Sequence, residues 1–264
     1  EEVEADPAAF AEKPIGNGPF MMTEPWAHDQ YIKVAKFADY YGDEPFIDGV
    51  DFVILADMRT GSNLLEETLD AYPGLVGRDI VQAVSGHEIT LWQDNAHVPV
   101  ARMHGKHDRL RVAVLDCGAK HNIYRSLEHL GCEVVVVPSR FGAVDIMQLN
   151  PDGVLLSNGP GDPAPLTREV ETIRSLLGEV PIFGICLGTQ LLAQAVGART
   201  AKLKFGHHGV NQPVKNLLNG RVEITSQNHG FHVVRDSLPA DAEVTHINLN
   251  DDTLEGIRYP SRMA

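Results

Sequence analysis

Between residues 111 and 195 short apolar runs alternate with helical patterns, and this alternation limits the possible folds more than any other feature of the chain. Candidate strands are Arg111–Asp116, Glu133–Pro138, 153–158 and 181–185, with helical patterns at 119–130, 142–149 and 167–178. Strands alternating with helices predict an α/β protein with a doubly wound, mostly parallel sheet. The unbroken run Val134-Val135-Val136-Val137 suits a sheet covered on both faces. The parallel sheet is expected to extend across residues 110–250.

Ligands of such sheets bind beyond the carboxyl ends of the strands. Two loops sit there: "LSNGPGDPAP" at 156–165 and the turn "GICLG" at 184–188. Cys186 lies at the centre of the second, between a strand and a helix and flanked by Gly184 and Gly188. A nucleophile on such an elbow is held on strained backbone with little side-chain bulk around it. The amides opening the helix face the sulfur, which predicts a lowered thiol pKa and N–H groups for an oxyanion. Cys117 and Cys132 carry no such surroundings and read as packing residues. Three cysteines without a short-spaced pair fit a reducing cytosol, so the expected location is cytoplasmic. The net charge of −14 argues against an extended nucleic-acid footprint, and no apolar run approaches membrane-spanning length.

"FGICLGTQLLA", "LSNGPGDPAP", "KFGHHGVNQPV" and "TSQNHGFHV" together resemble the glutaminase domain of the carbamoyl-phosphate synthetase small chains, which are class I glutamine amidotransferases. "PGLVGRDIVQAV" at 73–84 is similar to the segment preceding that domain, so the resemblance covers about 73–258. It implies that Cys186 attacks the side-chain amide of glutamine to give a γ-glutamyl thioester. The ammonia would pass to a large synthetase subunit making carbamoyl phosphate for arginine and pyrimidine biosynthesis. It implies oxyanion amides from Leu187 and Gly161, and a glutamine site lined by Gly159, Gly161, Leu187, Gln190, Asn228, Gly230 and Phe231. No cofactor is expected in this chain, since ATP and Mg²⁺ would belong to the large subunit, and no metal is expected.

The sequence departs from the family pattern in three places. Thr189 stands where the small-chain motif usually has histidine. The family's N-terminal domain, with its serine-bearing "SMTGYQE" segment, has no counterpart. The His-x-Glu pair that follows the equivalent of "TLEGIRY" is also without one; here "PSRMA" follows that strand. A thiol nucleophile needs an oriented base, so the expectation is a reactive Cys186 with impaired turnover. Among the other histidines, His229 is the best substitute base. His207 and His208 are neighbours whose side chains diverge on regular structure, so they read as loop residues and not as a metal pair. His246 reads as structural.

The first third differs in character. Nine of the seventeen aromatics fall in residues 1–52, among turn clusters such as Gly16-Asn17-Gly18 and short alternating runs such as Tyr31-Ile32-Lys33-Val34. This predicts a small β-rich, irregular N-terminal region. Residues 6–54 resemble the peptide-binding proteins of bacterial ABC importers. Residues 51–74 resemble the phosphosulfate loop of sulfotransferases, with Arg59-Thr60-Gly61-Ser62 at a helix start. The expected division is 1–50, a solute-binding-protein fragment; 51–109, a strand–loop–helix segment and linker; and 110–264, the amidotransferase-like domain. The alternatives to a glutaminase are therefore a solute-binding fragment, a sulfotransferase, or a mosaic without function.

Overall fold

The computed structural model describes residues 20–22, 31–36, 49–53, 74–100 and 108–264. The chain divides into two compact units, Glu1–Gly74 and Leu75–Ala264. In the first, β1 (Phe20–Met22), β2 (Tyr31–Lys36) and β3 (Gly49–Val53) form an antiparallel sheet in that order. The Arg59–Ser62 stretch of the sulfotransferase resemblance lies outside the described residues.

The second unit holds β4 (Thr90–Gln93), β5 (Ala96–Pro99), β6 (Arg111–Asp116), β7 (Glu133–Pro138), β8 (Gly153–Leu156) and β9 (Ile182–Gly184) in a six-stranded sheet. The order is β5-β4-β7-β6-β8-β9. Strands β7, β6, β8 and β9 are parallel, and β4 and β5 add an antiparallel hairpin at one edge. That hairpin lies in the segment read from sequence as linker. Its turn residues Asp94 and Asn95 both have positive φ, 52° and 65°, the backbone a two-residue type I′ connection requires.

Helices connect the parallel strands: α1 (His121–His129), α2 (Ala143–Gln148), α3 (Thr167–Leu176) and, after β9, α4 (Leu187–Ala195). Successive strand residues face opposite sides of the sheet. On one side Leu115, Val137 and Leu156 pack with Ile146 of α2, Ile173 of α3 and Leu191 of α4. On the other, Val114, Val136 and Leu155 pack with Trp92 of β4 and Tyr124 of α1. Burial on both faces is why these strands read as continuous apolar runs.

The parallel sheet ends at β9. The strands that follow are β10 (Thr200–Asn216), β11 (Val222–Val233), β12 (Glu243–Asn248) and β13 (Leu254–Arg258). They close into a barrel in the order β10-β11-β13-β12, every pair antiparallel. This corrects the expectation that residues 110–250 continue one parallel sheet. The physical reason is in the connections: β10 and β11 are joined by a short turn with Gly220 at φ 74°, too short for the helical crossover that parallel neighbours need. Ala193 of α4 packs with Ala198, Val233 and Leu254 to join the helix to the barrel.

Candidate active site

Cys186 caps the N-terminus of α4 with φ 55° and ψ −108°. A non-glycine residue here costs on the order of 1–3 kcal/mol and persists only where its surroundings enforce it. They do so closely. A Cβ on Gly184 would lie 2.7 Å from the Gly188 carbonyl carbon and the Thr189 nitrogen, and one on Gly188 would drive into the Leu156 carbonyl. The Gly188 amide donates to Ser157 O at 3.1 Å and Ile185 O at 3.0 Å, seating the elbow on the end of β8. Thr189, the departure from the family's histidine, donates its hydroxyl to Gly184 O at 2.8 Å and closes the turn.

The second loop is fixed as firmly. Ser157 Oγ accepts from the Cys117 amide at 2.9 Å and donates to Asn158 O at 2.7 Å. Buried Asp162 accepts from the amides of Ala164 and Gly77, both at 2.9 Å, which ties the loop to the segment after Gly74.

Cys186, Gly159, Gly161, Gln190, Asn228, Gly230 and Phe231 line one cavity of about 230 Å³. Leu187 is not on its wall. Its side chain is buried beneath, and its backbone amide favours the ionised sulfur. Leu75, Ile80, Pro160 and His208 also line the cavity. Sequence reasoning assigned no site role to these four, although "PGLVGRDIVQAV" and "KFGHHG" were the segments to search. Several side-chain atoms on the walls are already engaged. Gln190 Nε2 donates to Phe231 O at 2.8 Å, joining α4 to β11. Asn228 Oδ1 bonds His208 Nδ1 at 2.8 Å. Gln190 therefore keeps its carbonyl oxygen, and Asn228 its amide nitrogen, for a ligand. A larger cavity of about 510 Å³ also reaches Cys186, and Gln190, Asn228, His229 and Phe231 line both.

Burial opposes ionisation of the thiol. Burial pushes the Cys186 thiol above its ordinary value. The Leu187 amide and the positive charge of Lys120 work against that, and the Glu255 carboxylate adds to it. The expected lowering by the helix N-terminus is present but is outweighed, because burial removes more hydration from a thiolate than one amide restores. Cys117 is fully buried and its thiol is raised further by burial and nearby acidic groups. Cys132 packs half-buried against the α1 side of the sheet.

The histidines are held in structure. His229 has an acceptor oxygen at each nitrogen, Phe231 O 2.8 Å from Nδ1 and Gln227 Oε1 3.3 Å from Nε2. His207 and His208 lie within β10 and not in a loop. The sequence "KFGHHG" hides the strand because Gly206 and Gly209 interrupt it. His246 of β12 bonds Thr245 Oγ1 at 2.9 Å. Among the described residues no helix is long and apolar enough to cross a membrane.

The family model described as glutamine amidotransferase class-I matches residues 113–264. Another, described as bacterial extracellular solute-binding proteins, family 5 middle, matches residues 1–99. The carbamoyl phosphate synthase small chain of Syntrophotalea carbinolica is 48% identical over 216 residues, covering 80% of this chain and 57% of that protein. The small chain of Rhodopirellula baltica is 52% identical over 198 residues, covering 72% and 51%. The chain spans about half the length of the curated relatives it matches. A crystal structure of a GMP synthase component from Thermoplasma acidophilum superposes with a TM-score of 0.51 at 23% identity, covering 60% of this chain and 82% of that one. That likeness speaks to the fold alone, which is α/β.

Proposed function

The chain belongs to the class-I glutamine amidotransferase family, and from that premise we propose that Cys186 is the nucleophile of a glutamine-hydrolysing site that supplies ammonia for carbamoyl phosphate synthesis. The observation that carries this reading is the positive-φ cysteine at the mouth of α4, opening onto a cavity walled by Gly159, Gly161, Gln190, Asn228 and Phe231.

In the proposed reaction the Cys186 sulfur attacks the carboxamide carbon of glutamine. The carbonyl oxygen becomes an oxyanion facing the amides of Leu187 and Gly161. The C–N bond breaks, and the nitrogen leaves as ammonia with the proton from the thiol, leaving a γ-glutamyl thioester. Water then cleaves the thioester to glutamate and regenerates the thiol. Gln190 and Asn228 use their remaining oxygen and nitrogen to hold the substrate's polar groups. Water exclusion by the cavity strengthens each of these contacts. The ammonia is consumed by a separate synthetase subunit, where ATP and Mg²⁺ act, in the cytoplasm.

Acylation is expected to outpace turnover, because the two ring nitrogens of His229 face Phe231 O and Gln227 Oε1 and general acid–base help is typically worth about 10²–10⁴-fold. The test pairs labelling with product release. A chloroketone analogue of glutamine should modify Cys186 in one-to-one ratio, with protection by glutamine and no reaction in Cys186→Ser. Ammonia should appear as about one equivalent per chain, followed by a slow rate. Ammonia release unchanged in Cys186→Ser, or labelling shared equally with Cys132, would overturn the proposal.

A further inference from the structure

On the barrel side of Cys186, three side chains from three strands converge. β10 and β11 place His207 directly opposite His229. Their rings meet edge to face with centroids 4.9 Å apart. Glu255 of β13 stands against both, with Oε1 3.1 Å from His207 Nδ1 and Oε2 3.7 Å from His229 Nε2. One ligand atom from each of the three lies within 4.8 Å of the other two.

The outer hydrogen bonds set which nitrogens point inward with lone pairs. His207 Nε2 is 2.8 Å from Asp251 Oδ2, a bond in which the ring must donate. His207 Nδ1 is then left with its lone pair. It is buried and has no hydrogen-bond partner. Its approach to Glu255 has the distance of an ion pair but not the angle of a hydrogen bond, so that contact leaves the nitrogen unsatisfied. A neutral His229 ring carries one N–H, and the shorter contact, Nδ1 at 2.8 Å from Phe231 O, takes it, so His229 Nε2 is the inward lone pair. Gln227 Oε1, 3.3 Å from that nitrogen, brings one more acceptor. Two imidazole lone pairs, a carboxylate and an amide oxygen thus face one another in a site where His207 keeps only 7% of its exposure to solvent. Such a group of acceptors repels itself unless a positive charge sits among them.

We propose that His207 Nδ1, His229 Nε2 and Glu255 bind a divalent transition-metal ion of the Zn²⁺ class. Nitrogen and carboxylate donors suit that ion, with metal–ligand distances near 2.0–2.1 Å. Tetrahedral bonds of that length place ligand atoms about 3.3 Å apart, and each imidazole nitrogen has its own oxygen of Glu255 near that spacing, at 3.1 and 3.7 Å. Asp251 and the Phe231 carbonyl fix the imidazole tautomers from outside, as partners of metal-bound histidines do. Three protein ligands leave a fourth position, which opens to water on the larger cavity that His229, Glu255 and Cys186 share. The ion would join β10, β11 and β13 at the side of the barrel facing Cys186. This inference does not rest on the glutaminase reading, and its test needs no activity.

The full chain, stripped with chelator, is titrated with Zn²⁺ alone in a Cys186→Ser background so that the reactive thiol does not compete. The expected result is one tightly bound equivalent and a rise in Tm of about 5 °C or more at saturation. Glu255→Gln and His207→Gln should each abolish the rise, and Asp251→Asn should weaken binding roughly 10–100-fold. Co²⁺ in place of Zn²⁺ should give the visible spectrum of a four-coordinate nitrogen and oxygen site without a thiolate band. Glu255→Gln keeps the side chain's shape, and circular dichroism of the metal-free protein checks its folding. Unchanged Zn²⁺ affinity in Glu255→Gln overturns the proposal, as does a thiolate band with Co²⁺. So does a Tm of the metal-free protein that Zn²⁺ leaves unchanged.

Discussion

The parallel sheet and the closed barrel meet at Cys186 but are held together by different physics. In the sheet, Leu115, Val137 and Leu156 are wholly out of water, and helices cover both faces. Register there follows from burial, because slipping one residue would exchange two apolar faces that are each filled. In the barrel, β10 and β11 carry exposed apolar residues such as Phe205, Val210 and Ile224 alongside a buried polar centre of His207, Thr245 and Asn248. Register there depends on particular side chains: Asn248 Nδ2 donates to Glu255 Oε1 at 3.2 Å, and Asn250 Nδ2 to Gln212 Oε1 at 3.1 Å. The sheet is thus a general solution that many apolar sequences satisfy, and the barrel a specific one. The nucleophile stands on the general half with Gly159, Gly161 and Gln190, and the opposite wall of Asn228, Gly230 and Phe231 stands on the specific half.

If this contrast holds, truncating the sheet core should do the most damage. Leu156→Ala should cost about 2–5 kcal/mol, read as a fall in the urea midpoint with unchanged slope. A loss below about 1 kcal/mol would mean that the sheet is not the dominant core. Gly188→Ala should come next, at about 1–3 kcal/mol, because the new methyl meets the Leu156 backbone. It should also abolish chloroketone labelling at Cys186, which the Leu156 change should only slow.

The next effect is on rate. With the thiol held above its ordinary value by burial, the thiolate is scarcer than in free cysteine at every pH below that value. Labelling should therefore keep rising with pH beyond about 8.5, where an ordinary thiol begins to level off. Lys120→Met removes a charge that favours the thiolate and should slow labelling at pH 7 roughly two- to fivefold. A plateau below pH 8, unmoved by that change, would show that the helix N-terminus outweighs burial after all. Smallest of all, Ile224→Ala on the exposed face of β11, 67% accessible, should shift stability by no more than about 0.5 kcal/mol. A larger shift would erase the distinction between the two halves.

The same contrast governs what could be read from the sequence. β6 and β7 were legible to the residue, because an apolar run between turn residues leaves little choice. The β4–β5 hairpin was missed although "TLWQDNAHVP" carries a two-residue turn, since Asp-Asn is a weaker hairpin sign than Asn-Gly. β10 was missed because Gly206, Gly209 and Pro213 read as loop punctuation. In the structure Gly206 and Gly209 accompany register shifts between Lys202 and His207 and between Gly209 and Gln212, and Pro213 pairs regularly with Ile224. In the site, six of the seven glutamine-site residues named from resemblance line one cavity with Cys186, and Leu187 does not, whereas Leu75 and Ile80 reach it through the Asp162 contacts that no local pattern reveals. His207 was weighed against its chain neighbour His208. Its partners are His229 and Glu255 from neighbouring strands and Asp251 from the turn between β12 and β13.

The backbone at Cys186 has a consequence for how such a chain changes when its chemistry is no longer required. Glycine adopts φ 55°, ψ −108° without the steric penalty that a cysteine carries. Cys186→Gly is therefore expected to raise the unfolding free energy by about 1 kcal/mol, after allowing for glycine's freer unfolded state. Drift under stability alone would favour glycine at position 186, so the reactive residue is the one the fold would discard first. Comparing the urea midpoints of Cys186→Gly and Cys186→Ser measures that tension directly: serine keeps the strain and glycine relieves it.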